Sequence, residues 1–170
     1  MNEKNDLQSL FFWSRTRLYK KLNNSLTESN YSLKGKEILL LEDDTFLVRR
    51  LIAQLESAGA EVTSCASIEE TKHTLKSLSF DFALMDLNLP DGESLDLLRD
   101  EKIPSNTLTI LMTAEGGIKS AVEAMRLGAV DYLSKPFDIE EISILLIKAE
   151  QQRKNQRLVQ HSLEQRRQKT

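Results

Sequence analysis

Four apolar runs, each delivering a polar or charged group at its C-terminal end, constrain this chain more than any other feature. The run from Ile38 to Leu41 leads into Glu42-Asp43-Asp44, and Phe82-Ala-Leu-Met85 leads into Asp86. A third run ends at Thr113, and a fourth leads to Lys135-Pro136. Runs of this length, alternating with helical patterns, describe a parallel sheet whose strand ends converge on one crevice. Three acids, a hydroxyl and a lysine in one crevice suit a divalent cation together with a phosphoryl group.

Strands are expected at Ile38–Glu42, Glu61–Cys65, Phe80–Met85, Thr107–Met112 and Val130–Leu133. Between them, a helix carrying Phe46, Leu47, Leu51 and Leu55 stops at Gly59, and further helices cover Glu93–Asp100 and Gly117–Leu127. Ser67-Ile-Glu-Glu70 reads as a capping box opening another helix, with Ser67 as the cap and Glu70 reaching back. Asp138-Ile-Glu-Glu141 is an acidic cap opening a long last helix. Asp44 is expected both to cap the first helix and to join the acids of the crevice. Repeated strand-then-helix units imply right-handed crossovers and a three-layer α/β sandwich.

Charge divides the chain into three parts. Residues 1–36 hold seven Lys/Arg against three Asp/Glu, residues 37–148 ten against twenty-one, and residues 149–170 six against two. The acidic middle is the sheet-and-site domain, and the basic ends are helical appendages. In the first, Leu7, Phe11, Leu18, Leu22 and Leu26 recur at helical spacing, and Phe11-Phe12-Trp13 stands before Arg15, Arg17, Lys20 and Lys21. That amphipathic helix reads first as a dimerisation helix or a packing strip, and secondly as a membrane-surface or partner-docking helix. In the last part, Ile142, Leu145, Ala149, Gln152, Gln156, Val159 and Leu163 follow a 3-4 spacing compatible with a two-stranded coiled coil. Direct DNA binding is not expected of this chain alone, since a solvated face accounts for the basic runs.

No apolar stretch approaches a membrane span, the polar start does not resemble a signal peptide, and the single Cys65 can form no internal disulfide. A cytoplasmic location is expected. His73 and His161 read as surface residues, Cys65 as a small buried filler, and Met85 and Met112 as core.

In a doubly wound sheet the first and third strands are neighbours, so Glu42, Asp43 and Asp86 meet at the crevice. Their mutual repulsion is removed by a hard cation, and Mg²⁺ takes an all-oxygen shell of this kind. Buried acids paired only with Lys135 would leave several carboxylates beside one lysine, a costly arrangement. Asp86, facing a loop at the end of a buried strand, is the best nucleophile, because carboxylates form acyl phosphates. Thr113 offers a hydroxyl, Ala114 a backbone N–H and Lys135 a charge-assisted bond to the added phosphoryl group.

Glu42-Asp43, Asp86, Thr113 and Lys135-Pro136-Phe137, in that order, resemble the motif set of bacterial two-component response-regulator receiver domains over about residues 36–148. The resemblance implies a flavodoxin-like fold with a five-stranded parallel sheet of order 2-1-3-4-5. It implies phosphorylation of Asp86 by a sensor histidine kinase, with Mg²⁺ held by Asp43, Asp86, the carbonyl of Asn88 and, through water, Glu42. Thr113 becomes the switch hydroxyl, Tyr132 the switch aromatic, and the Lys135–Pro136 bond is cis. Asn88 and Glu115 border the phosphate and influence its lifetime. A homodimer is expected, formed through the face of the Gly117–Leu127 helix, the fifth strand and the last helix.

The pattern is departed from at Ser94, where the family commonly has a glycine, and by the 36-residue front extension. No output module is expected within the 170 residues. The basic, glutamine-rich last helix is similar to that of receivers in enhancer-binding transcription activators, where it leads to an ATPase. Two other functions fit the same residues: a Mg²⁺-dependent aspartyl-phosphate phosphatase, or an inactive receiver-like scaffold. The first commonly has a general acid two residues beyond the nucleophile, where this chain has Asn88; the intact acids, Thr113 and Lys135 argue against the second.

Overall fold

The computed structural model describes residues 32–114 and 118–168, with the side chains of Ile118 and Gln168 left aside. The expected N-terminal helix, Glu115 and Gly117 lie outside the described residues.

Five parallel strands form one sheet: β1 (Glu37–Leu41), β2 (Glu61–Cys65), β3 (Phe82–Asp86), β4 (Leu108–Ala114) and β5 (Asp131–Lys135). Their order is β2-β1-β3-β4-β5, the expected flavodoxin-like arrangement. Helices α1 (Thr45–Ser57), α2 (Ile68–Thr74), α3 (Leu95–Arg99), α4 (Ile118–Arg126) and α5 (Ile139–Gln168) alternate with the strands.

Strand alternation builds the two apolar layers. Successive side chains of a strand point to opposite faces. Ile38, Leu40, Phe82, Leu84 and Ile110 pack with Leu51 and Leu55 of α1 and with Ile142, Leu145 and Leu146 of α5. On the other face Leu39, Leu41, Ala83, Met85 and Leu111 pack with Ile68 of α2, Leu95 and Leu97 of α3, and Ala124 of α4. The central strand β3 is buried along its whole length, as a strand covered on both faces must be.

Helix starts follow the sequence closely. Asp44 caps α1, its Oδ1 accepting from the N–H groups of Phe46 and Leu47 at 2.9 and 3.1 Å. Ser67 Oγ accepts from Glu70 N, as the capping box requires, but the Glu70 carboxylate reaches the N–H of Ala66 rather than that of Ser67. Past the end of α1, Gly59 has φ +94°, and a Cβ there would lie 3.1 Å from the Lys34 Cα, so both conformation and space require glycine.

Several boundaries differ from the sequence reading. β3 covers Phe82–Asp86 rather than Phe80–Met85, and β4 and β5 run on to Ala114 and Lys135. The helix expected at Glu93 begins instead at Leu95, because Asn88–Leu89 and Gly92–Glu93 pair as a small antiparallel hairpin around Pro90-Asp91. Ser94, at the departure from the family pattern, is wholly buried there; its N–H donates to Leu87 O, and its Oγ has no partner among the described residues.

α5 changes character midway. Its first half buries one face, where the buried Glu150 carboxylate is paired with Lys36, while Arg153 donates to Asn106 O at 2.6 Å. Farther on, Leu158, Val159 and Leu163 are exposed. Among the described residues no helix is long and apolar enough to cross a membrane.

Candidate phosphoryl and metal site

The strand ends put the predicted acids together. β1 and β3 are hydrogen-bonded neighbours, with Leu41 opposite Met85, so the residues following Leu41 emerge beside Asp86. One carboxylate oxygen from each of Glu42, Asp43 and Asp86 lies within 4.8 Å of the others. Glu42 and Asp86 are 2% and 8% exposed, whereas Asp43 faces solvent. Two near-buried carboxylates thus point to an open edge where a third is accessible.

Lys135 closes the cluster from β5. Its Nζ lies 2.6 Å from Glu42 Oε2 and 3.2 Å from Asp86 Oδ2. Burial pulls this ammonium down, but the Glu42 hydrogen bond and the charges of Asp86 and Glu42 outweigh it, leaving the pKa above the ordinary lysine value. Glu42 Oε1 also accepts from Asp44 N at 3.0 Å, so both its oxygens are engaged. The expected Lys135–Pro136 cis bond is present.

The donor set fits Mg²⁺. It is all oxygen, without His or Cys, and oxygens bound to one octahedral ion at about 2.1 Å stand some 3–4 Å apart, a range that falls inside the 4.8 Å limit found here. A single lysine shared by Glu42 and Asp86 leaves a surplus of negative charge, which a divalent cation would neutralise.

The other predicted positions lie on neighbouring elements. Asn88 is exposed on the hairpin just beyond Asp86, paired across it with Glu93. Thr113 is buried at the end of β4, and its hydroxyl donates to Ala114 O at 3.0 Å. Ala114 is the last residue of β4, its side chain exposed. Tyr132 is 38% exposed on β5 and shares a groove with Ala121, Val122, Met125 and Arg126 of α4. His73 and His161 are exposed, as expected. Cys65 is buried beside Thr74, and burial pushes its thiol up.

Sequence reasoning missed the part played by Asp91. Its two carboxylate oxygens accept from Ile68 N and Glu69 N, each at 3.0 Å, so the hairpin turn caps α2 from a distance. The Ile68 N–H hydrogen bond, with that of Glu69, holds this exposed carboxyl below the usual range. The Pro90-Asp91-Gly92 run signals a turn, but nothing local in it names a partner more than twenty residues away.

A doubly wound α/β domain with three acids and a lysine at its strand ends is the architecture of a receiver module. The family model for the response regulator receiver domain matches residues 38–147, and the chain belongs to this family of two-component phosphoacceptor switches. It is 37% identical over 113 residues to the acid tolerance regulatory protein ActR of Rhizobium meliloti, covering 66% of this chain and 58% of that protein. It is 32% identical over 125 residues to the regulatory protein AtoC of Escherichia coli, covering 72% of this chain and 27% of AtoC. Among solved structures, full-length FixJ from B. japonicum is similar with a TM-score of 0.64 and 32% identity over 70% of this chain and 59% of that one. A CheY-like receiver from Methanospirillum hungatei has a TM-score of 0.61 and 30% identity, with 69% and 98% covered. The match therefore spans little more than half of ActR and about a quarter of AtoC.

Proposed function

We propose that the domain accepts a phosphoryl group on Asp86 from a sensor histidine kinase, in a Mg²⁺-dependent reaction, and passes the change on as a switch in transcription control. The observation that carries this reading is the gathering of Glu42, Asp43 and Asp86 within 4.8 Å of one another, with Lys135 bridging two of them.

The chemistry follows from these groups. An Asp86 carboxylate oxygen attacks phosphorus; the new P–O bond forms as the P–N bond to the kinase histidine breaks, and the imidazole leaves with the bonding pair and takes up a proton. Phosphoryl transfer depends chiefly on positioning and charge neutralisation. Asp43, Asp86, the carbonyl of Asn88 and, through water, Glu42 would hold Mg²⁺, which when bound supplies positive charge to the phosphoryl oxygens. Lys135 and the Ala114 N–H would supply further donors. Attack by water on the same phosphorus later restores the carboxylate and releases inorganic phosphate, and Asn88 and Glu115 border that approach.

The readout is a short rearrangement. The Thr113 hydroxyl, now donating to Ala114 O, would turn to a phosphoryl oxygen and vacate space for the Tyr132 ring. Tyr132 shares its groove with α4, so the face of α4, β5 and α5 would change and become the dimer surface. The 3-4 spacing of the exposed half of α5 supports a coiled-coil contribution to the same dimer. Light scattering with and without a phosphate mimic is expected to show a larger mass only with the mimic; one mass at all concentrations would contradict the dimer.

Intact-mass measurement after incubation with a small acyl phosphate tests the reaction itself. We expect one phosphoryl group per chain with Mg²⁺ and none with a chelator. Rapid release of phosphate without accumulated label would indicate a phosphatase, and no label under any condition a scaffold.

A further inference from the structure

We propose that Asp91 is a positioning residue for the phosphoacceptor site, holding the hairpin after Asp86 against α2 so that the backbone of Asn88 faces the acidic cluster. This inference rests on the reading of Asp86 and Asn88 given under Proposed function.

Two residues separate Asn88 from Asp91, and all of the hairpin's own pairing is Asn88 with Glu93 and Leu89 with Gly92. A two-residue pair of strands is too short to hold its own shape in water. Its anchors are therefore external. At its base, Leu87 N donates to Met112 O and Ser94 N to Leu87 O, which ties the start and end of the loop to the sheet. At its tip, Asp91 Oδ1 and Oδ2 take the N–H groups of Ile68 and Glu69, which belong to a different crossover. Gly92 keeps this approach open: a Cβ added to it would lie 3.3 Å from Ile68 Cδ1. Without Asp91 the tip loses both of these polar ties to the body, leaving the base and the buried Leu89 side chain as its anchors.

Ligands are kept in place by the groups behind them, and removing such a group commonly lowers metal affinity by about 10–100-fold. α2 has a second, independent cap in Ser67, whose Oγ accepts from Glu70 N at 3.2 Å and, among the described residues, makes no bond to the hairpin. Ser67 and Asp91 thus serve the same helix end, but of these two caps it is Asp91 that connects it to the loop of Asn88. This separates positioning from plain helix stability.

The test compares Asp91→Ala, Asp91→Asn and Ser67→Ala in the full chain, by thermal melting, by amide hydrogen exchange of residues 87–94 without metal, and by calorimetric titration with MgCl₂. Asp91→Ala and Ser67→Ala are expected to lower the melting midpoint alike. Only Asp91→Ala should speed exchange in the hairpin and weaken Mg²⁺ binding, by about tenfold or more. Asp91→Asn, whose amide oxygen still accepts a backbone N–H, should recover most of both. Unchanged exchange and affinity in Asp91→Ala, or equal changes in Ser67→Ala, would overturn the inference and leave the phosphoacceptor reading standing. A wild-type chain that neither binds Mg²⁺ nor takes phosphate would overturn both.

Discussion

Replacing Asp86 by asparagine is expected to abolish phosphoryl labelling altogether. The proposed acceptor oxygen belongs to a carboxylate at the end of β3, 8% exposed, and an amide of the same shape is no nucleophile toward phosphorus. The neighbouring acids should not take over. Glu42 has one oxygen on Lys135 and the other on the N–H of Asp44, and Asp43 lies in solvent. The fold should survive, because the substitution keeps the side chain's volume and relieves repulsion within the cluster while removing one partner of Lys135. A melting midpoint close to wild type, with no label by intact mass, is the expected pair of results; residual stoichiometric label would contradict the assignment.

Replacing Lys135 by alanine should damage both stability and reaction. The Glu42 side chain is 1% exposed and that of Asp86 12%, so removing their shared cation leaves two poorly solvated carboxylates together. Taking one partner from a fully buried pair costs about 3–5 kcal/mol. Here the cost should be about 2–3 kcal/mol, because Lys135 is 20% exposed and Asp44 N still donates to Glu42. Denaturant unfolding with an unchanged slope would report this value. The pH dependence has a definite sign. The folded-state pKa of Lys135 is raised above 10.5, so its contribution is complete at neutral pH and is lost as pH climbs from that value through the raised one. Wild type and variant should therefore converge in stability only in strong alkali. Labelling of the variant should slow on the order of a hundredfold, the usual effect of removing one donor to developing charge. An unchanged labelling rate would remove Lys135 from the site.

Much of the site was legible because of what ends each apolar run. A strand buried on both faces reads as a continuous hydrophobic stretch, and the first carboxylate after it marks the sheet's C-terminal edge. Glu42, Asp43, Asp86 and Lys135 could be placed together on that ground, and the cap at Asp44 followed from a similarly local signal, whereas the strand order came from the resemblance to receiver domains. Interactions across long sequence separations were not legible. Nothing in Asp91 announces Ile68 and Glu69 as partners, nor does Lys36 announce Glu150; both depend on how crossovers pack. The hairpin of Asn88–Glu93 shifted the start of α3 because tertiary pairing at Gly92–Glu93 overrode the helical pattern. Thr113 was correctly placed at the strand end, but the direction of its hydroxyl toward Ala114 O is a rotamer choice beyond sequence patterns.

The central claim is that the carboxylates at the ends of β1 and β3 form a Mg²⁺-assisted phosphoryl acceptor with Asp86 as the acceptor atom's owner. Borohydride trapping of protein treated with an acyl phosphate, followed by peptide mass mapping, tests this most directly, because hydride reduces an aspartyl phosphate to homoserine. The account predicts homoserine at position 86 alone, and only in samples that contained Mg²⁺. Conversion at Asp43 or Asp91, or none in the presence of Mg²⁺, would contradict it.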